Sequence, residues 1–241
     1  MVIASTMVVP FLFFFQNFPN DSGPIYKETL AGGIIAEPFN TLSNTVFLII
    51  LWYWGAKVYK NPKRHLFLAI VLPVIAISYI GGTIYHATRS HEFWLLLDWA
   101  PIMLLCMAMV IYFILKIVSK TWQRVLFLLI IFGLSFSLRI LPIPEAVRIS
   151  TGYIITALTV IVPLIWYLFK TKFVHAQWVA LAIIIFGIAI FFRSIDLKQS
   201  IFEMGTHWLW HFFGGVAVHC LIAYIFKDNL LNLSATSDNH D

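Results

Sequence analysis

Residues 205–227 read GTHWLWHFFGGVAVHCLIAYIFK, an apolar stretch in which the fixed charge comes only at Lys227. About 20 mainly apolar residues carry a helix across the hydrocarbon core of a bilayer, so this stretch predicts a membrane-spanning helix. Working outward, six further runs have the same character, at 36–58, 66–88, 93–117, 122–141, 145–169 and 174–194. The gaps between them are only a few residues long, which makes neighbouring helices antiparallel members of one bundle. The predicted fold is all-α: a polytopic seven-transmembrane-helix bundle forming a single membrane domain over 1–241. A leader covers about 1–25, the bundle 26–227 and a polar tail 228–241.

Composition agrees. Of 241 residues, 61% are hydrophobic, 17% aromatic and only 11% charged, against roughly 25% charged in an ordinary soluble domain. These values exclude a soluble enzyme, and they exclude a disordered chain, which needs low hydrophobicity and high charge. Two cysteines, Cys106 and Cys220, exclude a disulfide scaffold. The net charge of +5 sits in the short gaps, so it reads as a topology determinant, with no nucleic acid expected as a partner.

Lysine and arginine bias sets orientation. Lys57, Lys60, Lys63 and Arg64 follow the first run, Lys116, Lys120 and Arg124 the third, and Lys170 and Lys172 the fifth. The alternate gaps are less basic and contain Glu92, Glu145, Asp196 and Glu203. The N-terminus is therefore expected outside and the C-terminus in the cytoplasm. Residues 1–19, MVIASTMVVPFLFFFQNFP, have no basic residue and contain Pro10, so they read as an interfacial leader rather than an eighth span or a signal peptide. The tail NLSATSDNHD is expected to be disordered. Compact loops point to a bacterial inner membrane, with endoplasmic reticulum or Golgi membrane as the equivalent alternative.

An ionisable residue inside a span is a functional-site hypothesis by default. The candidates are Glu37, His86, Asp98, His207, His211 and His219. Up-and-down topology puts all but His219 at one level, in the outer half of the bundle, on four different helices. His207 and His211 are four residues apart, so both imidazoles lie on one helical face about 5–6 Å apart at Cβ. A third imidazole from His86 makes three neutral nitrogen ligands with one open position, the pattern of catalytic zinc. Asp98 is the nearest candidate carboxylate. The alternative for HWLWH is packing and hydrogen bonding among interfacial aromatics. His219 lies deeper and about 80° around an ideal helix from His211, and reads as a hydrogen-bonded core histidine. Glu37, Asn40 and Asn44, flanked by Ser43, form a polar stripe of the kind that glues helices together. His65, His91 and His175 fall in gaps and are expected to be solvated.

Taken together, EPFNTLSN at 37–44, YHATRSHEFWLLLD at 85–98 and THWLWHFFGG at 206–215 resemble the alkaline ceramidase family. More broadly they resemble the CREST superfamily of seven-helix membrane hydrolases, which includes the adiponectin receptors. The resemblance runs from about Tyr26 to about Ile225. It implies a zinc ion on His86, His207 and His211, with Asp98 as the matching carboxylate. It also implies a zinc-dependent hydrolase that cleaves ceramide into a sphingoid base and a fatty acid, with Asp98 moving the proton and Thr83 steadying the oxyanion. Four features depart from the pattern. Gly82 stands where the family usually has serine, with Thr83 next to it. His86 and Asp98 are twelve residues apart, one more than usual. Of the family's N-terminal calcium-binding cluster only Glu28 and Glu37 match, and Ile25 replaces an aspartate. Lys27 and approximately Ser200 stand where the family pairs two cysteines, so that cross-link is absent. The expected partner is a membrane lipid, ceramide or another N-acyl lipid, with no obligate protein partner. The competing functions are a receptor or scaffold that keeps a structural zinc, and a transporter or proton relay.

Overall fold

A computed structural model describes residues 19–29, 34–142 and 144–237. Residues 1–18, most of the expected leader, lie outside them. Among the described residues there are helices and no strands. In order these are α1 (Pro38–Ser43), α2 (Thr45–Val58), α3 (Leu66–Thr88), α4 (Glu92–Ile117), α5 (Thr121–Arg139), α6 (Glu145–Lys170), α7 (Ala176–Ile195) and α8 (His207–Ser237). Six of them, α3 to α8, are long and apolar enough to cross a membrane.

The first expected run, 36–58, is built as two pieces. Pro38 opens α1, and the Glu28 carboxylate accepts from the free amides of Phe39 (2.5 Å) and Asn40 (3.0 Å) at its start. One residue, Asn44, separates α1 from α2. At 1.5 Å per residue the two helices rise only about 9 and 21 Å, so neither alone spans the roughly 30 Å hydrocarbon core.

Two other expectations are corrected. The stretch NLSATSDNHD at 232–241, expected to be disordered, begins as helix, because α8 continues to Ser237, and the polar tail assigned from 228 starts inside that helix. Asp228 is buried, accepting from the Tyr167 hydroxyl (3.0 and 3.1 Å) and pairing with Lys116. Partners on α6 and α4 thus hold a residue that reads as polar tail. His65 is not solvated either: it is buried, its ring stacked on Phe226 at 4.2 Å. His91 is exposed as expected and caps α4 by accepting from the Phe93 amide (3.0 Å).

The main apolar core lies toward the basic-loop end of the bundle. It joins Ile50, Trp54 and Val58 of α2 to Leu68, Val71 and Leu72 of α3, Phe113 of α4, Leu164 of α6 and Ile222 of α8. The spacing of Ile50, Trp54 and Val58 is the i, i+4, i+8 stripe that keeps one helical face inward. Apart from His65 and Asp228, the buried charged and polar groups gather at the opposite end, where α3 finishes and α8 begins. Packing holds one end together, and polar pairing holds the other.

Candidate metal centre

The geometry at the polar end begins with how α8 starts. Gly205 has φ of +77°, a left-handed conformation that glycine adopts without strain. A Cβ there would overlap the Asp196 carboxylate. Asp196 Oδ1 accepts from the backbone amides of Thr206 (2.6 Å) and His207 (2.9 Å), satisfying two of the donors that every helix start leaves free. His207 and His211 therefore occupy the first two turns of a helix with a fixed beginning. His86 lies near the C-terminal end of α3, which Arg89 closes in the left-handed conformation.

All three imidazoles are buried, and one ring nitrogen from each falls within 4.8 Å of the others. Ring centroids are 4.7 Å apart for His86 and His211, 4.7 Å for His207 and His211, and 5.4 Å for His86 and His207. The Nε2 atoms of His207 and His211 are 3.1 Å apart. A tetrahedral ion with Zn–N bonds of about 2.0–2.1 Å needs ligand edges of about 3.3 Å, so this edge already suits zinc. His86 suits it further. Its Nδ1–H donates to Glu37 Oε2, and a carboxylate at that nitrogen leaves the lone pair on Nε2, the usual arrangement behind a metal ligand. That Nε2 is buried and has no hydrogen-bond partner.

His207 is the exception. Its Nδ1 faces the Arg193 guanidinium at 3.1 Å, which can only donate. A neutral imidazole that accepts at Nδ1 carries its proton on Nε2, here directed at His211. Ligation through Nε2 needs the other tautomer, so His207 must exchange its partner before it can bind a metal.

Glu37 is completely buried and uses both oxygens. Oε1 accepts from Thr29 (2.5 Å) and Arg89 (2.6 Å), and Oε2 from His86 and from Asn40 (3.1 Å). Arg89, also completely buried, reaches Asp21 through Nε (2.9 Å) and Nη2 (2.6 Å), and donates to the carbonyls of Pro24 (3.2 Å) and Gly23 (3.3 Å). The cation at the centre of the N-terminal acidic groups is thus a guanidinium. Glu28 and Glu37, the two positions matched to a calcium cluster, spend all four oxygens on protein donors. Of the polar stripe, Glu37 alone crosses to another helix through hydrogen bonds. Ser43 (2.8 Å) and Asn44 (3.4 Å) donate back to the Asn40 carbonyl.

Asp98 reaches the site through a close approach of α3 and α4. Ser78 Oγ donates to the Asp98 carbonyl (2.9 Å), and a Cβ on Gly82 would overlap the Asp98 carboxylate. At Gly82, where the resemblance leads one to expect serine, the absence of a Cβ leaves room for that carboxylate. Asp98 is half-buried and within electrostatic reach of His86, Arg193 and Glu37. Thr83 Oγ1 is buried without a partner. His219 stands apart and accepts from the Trp54 indole (3.2 Å), as a core histidine should.

Residues 19–29 lie across this end as a strap. Asn20 donates its amide to the Arg89 carbonyl (2.8 Å), and Tyr26 is buried, stacked on His207 at 3.8 Å with the rings 11° from parallel. Lys27 Nζ donates to the carbonyls of Gln199 and Phe202, both at 2.9 Å. The two places matched to a family disulfide are thus neighbours in space, tied by a lysine on carbonyls rather than by sulfur. Sequence reading missed Tyr26, Arg89, Arg193 and Asp196. Only Arg193, a charge near the end of an apolar run, offered a local signal. No known family model matches the chain, and no curated protein matches it.

Proposed function

We propose that the chain is a zinc-dependent lipid amide hydrolase of the alkaline ceramidase type, with α1 and α2 together completing a seventh crossing and the N-terminus outside. What carries the reading is the convergence of three buried imidazoles from α3 and α8, with Glu37 behind His86 and the Asp98 carboxylate on the adjoining helix. His86, His207 and His211 would hold the ion. Zinc at such a site polarises a carbonyl and lowers the pKa of water toward 7.

The remaining work belongs to side chains. Asp98 takes the proton of the attacking water and delivers it to the leaving nitrogen, general acid–base work suited to a carboxylate beside the imidazoles. Thr83 offers a hydroxyl that has no partner among the described residues and can donate to the developing oxyanion. Tyr26 and the strap exclude bulk water from above, so a lipid whose amide lies near headgroup depth approaches between helices. Ceramide fits that depth.

The test is zinc content by elemental analysis on detergent-purified wild type and His211→Ala, with hydrolysis of a fluorescent ceramide followed in the same samples. Near-stoichiometric zinc, lost in the variant together with amide cleavage, is expected. Zinc without cleavage discards ceramide as the substrate, and wild type that stays zinc-free in zinc-supplemented buffer discards the hydrolase.

A further inference from the structure

A cleft of about 150 Å³ lies between α4, α5 and α6, walled by Met103, Met107 and Val110 on one side and Phe132 and Phe136 on the other, with Arg139 at its polar edge. That volume matches a cavity that holds one benzene, so it takes a short length of one hydrocarbon chain. Two observations say what kind of molecule the chain belongs to. Helix α5 has no buried residue, so protein packing leaves it incompletely covered. Arg139, its last residue, donates through Nη2 to the Thr156 hydroxyl and the Gly152 carbonyl (3.3 Å), and no carboxylate among the described side chains, which do not include that of Glu145, pairs with it. Among the described side chains its Nε and Nη1 have no hydrogen-bond partner, and a guanidinium fork matches the oxygens of a phosphate. The end of a spanning helix is also the depth at which lipid phosphates lie.

We propose that this cleft binds one acyl chain of an anionic glycerophospholipid, with the phosphate on Arg139 and the chain wedged against Met103, Met107 and Phe136. The lipid completes the packing of α5. The site is separate from the histidine cluster and does not depend on the hydrolase reading.

The experiment uses the full chain, delipidated in neutral detergent, and follows the thermal midpoint on titration with phosphatidylglycerol, phosphatidylcholine or oleate. Phosphatidylglycerol is expected to raise the midpoint at concentrations where phosphatidylcholine does not. Arg139→Gln is expected to weaken the phosphatidylglycerol response by about tenfold or more in apparent affinity, the scale of one lost charge-assisted contact, while Arg139→Lys keeps the preference. Met107→Trp, which fills the cleft and spares Arg139, is expected to lose the response, and His211→Ala to retain it. Equal stabilisation of wild type by the two phospholipids, or an undiminished preference in Arg139→Gln, overturns the proposal. Oleate acting as strongly as phosphatidylglycerol overturns the choice of a phospholipid in favour of a free carboxylate.

Discussion

Replacing Glu37 with glutamine keeps the size of the side chain and removes one charge and one acceptor. In the wild type, Oε1 faces two donors, Thr29 and Arg89, and Oε2 faces two more, His86 and Asn40. A glutamine amide turned either way therefore presents its NH2 group to two donors. If the NH2 takes the Oε2 side, His86 loses the carboxylate that fixes its tautomer. If it takes the Oε1 side, Arg89 is left with Asp21 as its only carboxylate. Losing one partner of a buried ion pair is worth about 3–5 kcal/mol, and hydrogen bonds to charged groups about 1.5–3 kcal/mol each. The retained Asp21 pair and the one good amide contact offset part of this, so a loss of about 2–4 kcal/mol in stability is expected. Outer-shell partners of a ligating histidine typically contribute 10–100-fold to metal affinity, so zinc binding should weaken by about that factor. The assay is competition with a chromophoric chelator on folded, detergent-purified protein, with the thermal midpoint read in parallel. Zinc affinity within about twofold of wild type, in a variant that remains folded, would refute the orienting role of Glu37 and with it the tautomer assigned to His86.

Three further outcomes follow from the same geometry. Asp98→Asn should leave zinc content unchanged and lower ceramide turnover by about 100-fold or more, the scale of a lost general acid–base; turnover within a few-fold of wild type would remove Asp98 from the reaction. Gly81→Ala places a methyl group against the Leu97 backbone on α4 and should destabilise the protein by about 1–3 kcal/mol, whereas an unchanged thermal midpoint would mean that α3 and α4 do not approach as closely as Gly81 and Leu97 do here. Because Arg89 supplies the charge among the N-terminal acidic groups, adding calcium to zinc-loaded, calcium-free protein should leave the thermal midpoint unchanged; a rise would show a divalent cation working there.

The two halves of the molecule differed in how far their sequence could be read. Crossing a bilayer is a property of a contiguous run, so α3 to α8 were legible from length and apolarity alone. The histidine cluster was legible for a related reason: the i, i+4 pair is local, and antiparallel topology fixes which ends of α3 and α8 meet. Arg89 was not legible, because its carboxylate partners Asp21 and Glu37 lie 68 and 52 residues away and nothing near it distinguishes it from an orientation-setting loop charge. Asp228 and His65 failed in the same way. Each is polar within a polar stretch, and each is buried by a residue from a distant helix, Tyr167 on α6 and Phe226 on α8. The break at Asn44 is a subtler case, since hydropathy over 36–58 is continuous and the interruption comes with a short helix that Glu28, outside the run, caps.

Arg193 ties these threads to chemistry. It faces His207 Nδ1 at 3.1 Å and lies over the Tyr26 ring at 4.8 Å, and Tyr26 is itself stacked on His207. A single guanidinium thus touches both the strap and a candidate ligand. For His207 to ligate through Nε2, its Nδ1 must become a donor, and a donor cannot remain opposite Arg193. The guanidinium must then turn toward another acceptor or carry Tyr26 with it. A metal held through His207 Nε2 would therefore require Arg193 to shift, and Tyr26, which packs under that guanidinium and on His207, is the part of the strap that such a shift would disturb.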